Sequence, residues 1–496
     1  MNTPMRRVAM LVMTMVVVLL AGVTYLQVFK ADELRADPRN QRVLVDEYSR
    51  QRGQISADGQ VLAASVESGD RFKFLRVYPA NPHAPTSPEA NAPVTGFYSL
   101  NYASSGLEKA EDQILSGSDD RLFGNRLFDL VSGRNPRGGN VETTINPVLQ
   151  QVAYDQLASQ DLTGSVVALD PRTGAILAMV SAPSYDPNLL AGHDGAEVAA
   201  NWKRLHTDPR SPMLNRAISQ TYPPGSTFKV VTSAAALENG ATINDPLTAA
   251  AGLTLPGTNT VLHNYADERC GPGDTVPMIE AFARSCNAAF AQLGIKYGAD
   301  ALRDTAEDFG IGPDTPSIPL PVADSTVGTI PDAAALGQSS IGQRDVALTP
   351  LQNAVIAATV ANGGVRMQPY LVEELEGPDL KTLSTTSPTS PGQAIPPDVA
   401  DELTQMMIAS EQNTTGAGSV PGVQIASKTG TAEHGSTPKQ TPPHGWYIAF
   451  APAQNPVIAV AVIVEDGGNA GLAATGGKIA SPIGRAVIEA AVQGGQ

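Results

Sequence analysis

Three short groups of residues could together carry out acyl transfer. Ser226-Thr-Phe-Lys229 follows Pro223-Pro224-Gly225 and opens a predicted helix, which puts the lysine one turn beyond the serine on the same face. A serine hydroxyl is a weak nucleophile until a base takes its proton, and a desolvated lysine can be that base. Unpaired N–H groups at the helix start can hold the oxyanion formed when the serine attacks a carbonyl. Alone the pattern is weak, because Ser436-Thr-Pro-Lys439 fits it within a Pro-rich loop where nothing fixes lysine over serine. A second group, Ser285-Cys286-Asn287, has a counterpart at Ser99-Leu100-Asn101 and is equally weak alone. The third, Lys428-Thr429-Gly430, occurs once and ends a predicted strand.

The order of the groups carries more than any one of them. Ser-x-x-Lys at a helix start, then Ser-x-Asn, then Lys-Thr-Gly on a late strand resembles the active-site set of penicillin-binding proteins and serine β-lactamases. Longer stretches narrow the resemblance to class B penicillin-binding proteins of the actinobacterial penicillin-binding protein A type. They are RGQISADGQVLA, ALDPRTGAILAMVSAPSYDPN, NRA, YPPGSTFK, ALTPLQ, SKTGTAE and HGWYIAFAP. Cys286 stands where many β-lactamases have Asp, which favours the penicillin-binding side. No stretch resembles the glycan-polymerase domain of class A relatives, so polymerisation would fall to a partner.

The resemblance implies a set of roles. Ser226 would attack the D-Ala-D-Ala carbonyl with Lys229 as proton acceptor; Ser285 would relay the proton to the leaving amine; Asn287 would hold the substrate amide and Lys229. Lys428 and Thr429 would bind the substrate carboxylate, with Lys428 also keeping Lys229 neutral. Gly430 would let substrate backbone approach the strand, and the N–H groups of Ser226 and Thr431 would form the oxyanion hole. The implied activity is D,D-transpeptidation of peptidoglycan stem peptides, with β-lactams as covalent inhibitors and no metal or organic cofactor. D,D-carboxypeptidation shares the first half-reaction and stays open. A non-catalytic division scaffold or a membrane β-lactam receptor are the rivals of another class; only about seven residues precede the apolar run, too few for a cytoplasmic output domain. Implied protein partners are a membrane glycan polymerase and division proteins.

These groups need elements to place them. A hairpin at SVVALD-PRTG-AILAMV and late strands at Val423 to Lys428, Trp446 to Ala451 and Val457 to Glu465 enclose mostly helical sequence, including Ser226 to Asn239 and Met278 to Leu293. The expected fold is α+β: an antiparallel five-stranded sheet flanked by helices over residues 161–496, behind a small β-rich domain over 31–160. Within the latter, Gln51 to Ser65 reads as a hairpin turning at Asp58-Gly59. Pro79 to Pro93 reads as an exposed connection without helix or strand, and Glu376 to Pro397 as a surface loop.

Val8 to Phe29 is an uncharged apolar run long enough to span about 30 Å of hydrocarbon. Arg6 and Arg7 precede it, so residues 1–30 are expected to be a cytoplasmic tip and single uncleaved anchor in the cytoplasmic membrane, with the rest exported. In an oxidising compartment the only two cysteines, Cys270 and Cys286, could pair; free buried thiols are the alternative. A net charge of −16 argues against a nucleic-acid partner. Gly471 to Lys478 lacks the Ser or Thr of a phosphate loop and is expected to be flexible. The six histidines show no metal-ligand spacing, and His434 and His444 are expected in a solvated loop.

Overall fold

The computed structural model describes residues 2–30, 45, 48–80, 86–133, 136–312, 318–437 and 440–494. Eleven strands build its two large sheets. They are β1 (Ile55–Ala57), β2 (Gln60–Glu67), β3 (Phe74–Val77), β4 (Asn140–Thr143), β5 (Gly164–Leu169), β6 (Ile176–Ala182), β7 (Val372–Glu376), β8 (Thr382–Thr385), β9 (Ala426–Ala432), β10 (His444–Ala451) and β11 (Ile458–Val464). The helices used below are α1 (Asn2–Thr24), α2 (Pro88–Thr95), α3 (Phe123–Val131), α4 (Pro147–Ala158), α5 (Lys229–Glu238), α6 (Met278–Ala283), α7 (Asn287–Tyr297), α8 (Pro350–Ala361), α9 (Pro397–Asn413) and α10 (Ser481–Gly494).

The five-stranded sheet runs β9-β10-β11-β5-β6, antiparallel throughout. Its strands read as unbroken apolar runs because both faces are covered. On one face Val167, Ala461 and Ile448 meet Val230, Leu351 and Ile356. On the other, Val166, Val460 and Tyr447 meet Leu157, Ile483 and Val487 from α4 and α10. α8 is mostly apolar and buried almost all round, and the polar Gln352 in it donates to Phe309 O at 2.8 Å.

The second sheet has the order β8-β7-β4-β1-β2-β3. Asp58 and Gly59 turn its first hairpin with φ of 49° and 69°, the left-handed pair that a two-residue turn requires. Glu108, buried, accepts from Arg52 and Arg76 at 2.6 Å each and ties the segment leading into β1 to β3. The sheet corrects one expectation: the Ser/Thr/Pro-rich stretch after Glu376 returns as β8, pairing with β7 as an exposed edge strand. Pro79 to Pro93 is corrected too. Residues 81–85 lie outside the described residues, but Ser87 caps α2 by accepting from Ala90 N–H, and Pro88 occupies the first helical position, where no N–H is missed. Pro93 leaves the Glu89 carbonyl without an in-helix donor, and Ser184 Oγ supplies one at 2.7 Å.

Thr3–Phe29 forms one helix long and apolar enough to cross a membrane, and none of it is buried against the rest of the chain.

Candidate active site

The expected helix from Ser226 starts differently from the prediction. Gly225–Phe228 is a 3₁₀ turn and α5 begins at Lys229. Gly225 has φ of 53°, and a Cβ there would stand 2.9 Å from the Thr431 carbonyl oxygen. The turn is therefore pressed onto β9 and held from three sides. Trp446 Nε1 donates to Pro223 O at 3.0 Å, Gly225 N–H to Gly342 O at 2.9 Å, and Tyr222 exchanges backbone bonds with Leu348. Tyr222 OH and Arg216 also share the Glu465 carboxylate at 2.6 and 2.9 Å.

The predicted helix from Met278 to Leu293 is broken in two. α6 ends at Ala283, Ser285 adopts φ of 61°, and α7 begins at Asn287. The interruption has a chemical result: the Ser285 carbonyl, which an unbroken helix would occupy, accepts from Lys229 Nζ at 2.7 Å. Lys229 Nζ also reaches Asn287 Oδ1 at 2.8 Å and Ser285 Oγ at 3.3 Å. Asn287 Nδ2 donates to His263 O at 3.0 Å, which fixes the amide so that its oxygen faces the lysine. The Cys270–Cys286 disulfide closes on this break with Cα atoms 5.9 Å apart, settling the open choice between bridge and free thiols.

Lys428 comes from β9. Its Nζ donates to Ser285 Oγ at 3.0 Å and to Thr429 O at 3.0 Å, so one hydroxyl stands between two amines. Both lysines are fully buried, and neither has an ion pair among the described residues. Burial, and after it the charge of Lys428, hold Lys229 well below its ordinary value; burial alone draws Lys428 down to about 7. Two rings that sequence reading missed face these amines. Lys229 Nζ lies 5.5 Å from the Phe290 centroid and Lys428 Nζ 5.5 Å from that of Phe282, with the rings edge to face. Their π faces moderate the cost of a buried positive charge without supplying a carboxylate that would fix it.

Gly430 is crowded from within the protein. A Cβ there would stand 2.7 Å from Pro224 O, 3.0 Å from Trp446 Cβ and 3.2 Å from Thr227 Cγ2. Gly476 approaches the same strand pair, where a Cβ would meet Trp446 O at 2.1 Å and Gly430 O at 2.4 Å. Gly471 to Lys478 is thus no loose loop: it runs through a 3₁₀ segment into the short helix Gly476–Ile479, packed on β9 and β10. Also unforeseen was Glu411 of α9, which accepts from Arg485 at 2.8 Å, from Tyr447 OH at 3.0 Å and from Ser427, the residue before Lys428.

Other sequence candidates fall elsewhere. Ser99 lies on a two-residue strand paired with Ala103–Ser104, apart from both large sheets, and Lys439 lies outside the described residues. His444 is not solvated: it lies on β10, 8% exposed, and burial followed by the charge of His434 lowers it to about 3. His434, His444 and Asp466 do gather, with ligand atoms within 4.8 Å of one another. The two imidazoles stack 3.7 Å apart at 4°, so their in-plane lone pairs run parallel instead of converging on one ion.

The penicillin-binding protein transpeptidase domain matches residues 164–489, and the penicillin-binding protein A dimerisation domain matches residues 52–141. The chain belongs to the penicillin-binding protein transpeptidase family. Within that family it is similar to the peptidoglycan D,D-transpeptidase PbpA of Mycolicibacterium smegmatis, at 61% identity with 100% of both chains covered. It is 60% identical to PbpA of Mycobacterium tuberculosis, again over 100% of both. The solved ceftriaxone acyl-enzyme complex of penicillin-binding protein A from M. tuberculosis has a TM-score of 0.87 at 60% identity, covering 90% of this chain and 100% of that one. The D,D-transpeptidase domain from Eggerthella lenta has a TM-score of 0.74 at 30% identity, covering 90% and 99%.

Proposed function

We propose that this penicillin-binding protein is a peptidoglycan D,D-transpeptidase acting through an acyl-enzyme on Ser226. The observation that carries the reading is the hydroxyl of Ser285 held between two buried amines with lowered proton affinity, Lys428 of β9 and Lys229, which follows Ser226 by one turn. The names of the relatives, and the β-lactam acyl-enzyme complexes solved for the M. tuberculosis protein, support it.

In this mechanism Ser226 Oγ attacks the carbonyl carbon of the penultimate D-Ala, and its proton passes to neutral Lys229. The tetrahedral oxyanion sits on the N–H groups of Ser226 and Thr431. It collapses by breaking the C–N bond to the terminal D-Ala, whose amine takes the proton through Ser285. An acceptor amine then attacks the ester, gives up a proton along the same relay, and returns Ser226 as a hydroxyl. Asn287 keeps the amide and Lys229 in place. Lys428 and Thr429 hold the substrate carboxylate, and the open edge of β9 at Gly430 and Thr431 receives the stem peptide as an added strand. A β-lactam enters the same path and stops at the ester.

The same proposal places residues 1–30 as a cytoplasmic tip and single membrane span and the rest outside, divided into a non-catalytic domain over 31–160 and a transpeptidase domain over 161–496 that lends β7 and β8 to the sheet of the first. A membrane glycan polymerase and division proteins would be its partners. The test is intact mass after incubation with labelled penicillin. One adduct mapped to Ser226, absent from Ser226→Ala, is expected, and an adduct elsewhere refutes the mechanism. Incubation with a stem-peptide fragment and an acceptor amine should yield the cross-linked product; release of D-Ala with none would replace transpeptidation by carboxypeptidation.

A further inference from the structure

Outside the membrane helix, ten large apolar side chains are exposed among the described residues, and four of them lie on one nine-residue helix. Phe123, Leu127, Phe128 and Val131 of α3 are 51–81% exposed. Their i, i+4, i+5, i+8 spacing makes one apolar face, while Leu122 and Asp129 turn inward and are buried. Arg126 lies beside the face, its guanidinium 5.9 Å from the Phe123 ring. Leu380, 69% exposed at the tip of the β7–β8 hairpin, belongs to the same end of the molecule. That hairpin is tied there by Arg121, which donates to Ser384 Oγ at 3.2 Å, and by Glu376 O and Leu122, which both flank Gly139.

The chain also enters its folded body at this end. Gln51 O accepts from Gly138 N–H at 2.9 Å, and Gly53 N–H donates to Leu115 O at 2.9 Å, on the segments that bracket α3. Only residues 30–50 separate this entry from the membrane helix, and a chain of that length reaches at most about 75 Å. The apolar face is therefore tethered within reach of the bilayer. Five side chains on a short helix and a hairpin tip fall well short of the roughly 800 Å² per partner of a stable protein interface. They suit the headgroup boundary, where an amphipathic helix buries its apolar face to a depth of about 5–10 Å.

We infer that α3, with Leu380 beside it, docks on the outer surface of the same membrane that holds the anchor, and so sets the tilt of the ectodomain. The inference rests on the reading of Thr3–Phe29 as a membrane span. The test uses the full chain in nanodiscs at one molecule per disc, carrying a single environment-sensitive fluorophore at Phe128→Cys, at Leu380→Cys or, as control, at Tyr265→Cys. Brominated lipid should quench the first two at least threefold more than the third, and Phe123→Ser/Leu127→Ser should return the Leu380→Cys probe to the control level. Equal quenching at all three positions overturns the inference, as does protection at Phe128→Cys that appears only with two chains per disc, which would assign the face to a second copy. Failure of the chain to enter discs refutes the membrane span itself, a separate outcome.

Discussion

Gly476 lies far in sequence from all three catalytic groups, yet Gly476→Ala should slow acylation. The added methyl would stand 2.1 Å from Trp446 O and 2.4 Å from Gly430 O. An ordinary contact starts near 3.4 Å, so about 1.3 Å of displacement must be found. Gly476 N–H lies 3.4 Å from Thr431 Oγ1, and Trp446 Nε1 holds Pro223, so movement of β9 and β10 is passed to the Ser226 turn. If the short helix Gly476–Ile479 takes half of the displacement, the site moves by about 0.6 Å. A 1 Å misplacement costs on the order of 100-fold, so a loss of about 10- to 100-fold in the acylation rate constant is expected. Overpacking should also cost about 1–3 kcal/mol of stability. Stopped-flow acylation by a fluorescent penicillin measures the first and denaturant unfolding the second. Gly494→Ala, where a Cβ meets nothing within 4 Å, is the control. A folded Gly476→Ala protein that acylates within threefold of the parent would show that β9 is not positioned from behind.

Three further outcomes follow from the same geometry. Lys428, drawn down to about 7 by burial, is charged below that pH and neutral above it; affinity for the carboxylate of a β-lactam should therefore weaken as pH rises from 6 to 8.5, read as a rising dissociation constant in acylation kinetics, and a flat profile contradicts its role. Replacing Cys270 and Cys286 by Ser opens a bridge of sequence separation 16, which should cost about 3 kcal/mol in chemical unfolding; it should also slow acylation by loosening Ser285, and unchanged kinetics would separate the bridge from the relay. Glu411→Gln leaves Arg485 buried without its carboxylate, an expected loss of about 3–5 kcal/mol by urea titration, with slower acylation because Ser427 adjoins Lys428.

The chemistry was legible where it was local. Ser-x-x-Lys and Lys-Thr-Gly each fit on one element, and the apolar runs that became β5, β6, β10 and β11 declare themselves because both faces are buried. The break at Ser285 was not legible. Its flanks have helical composition, and only the demand of Lys229 for a free carbonyl, together with the tie from Cys286 to Cys270, forces the left-handed residue. Pro79 to Pro93 was misread because proline was counted as a breaker without asking whether Pro88 could be a helix's first residue. Gly476, Glu411 and the ring pair Phe282 and Phe290 carry no local mark. Each owes its place to a neighbour distant in sequence, which no window of a dozen residues contains.

The return of β7 and β8 to the first sheet bears on how the chain is made. β7 pairs with β4, some 230 positions earlier, and β8 pairs with β7. If the ectodomain crosses the membrane from its amino end, β4 emerges long before its neighbour and waits with one row of amides and carbonyls unmatched. An unmatched row invites another strand. The first part of the ectodomain therefore reaches its finished form only after most of the catalytic region has been delivered, and a fragment cut before residue 372 should be sticky, not compact.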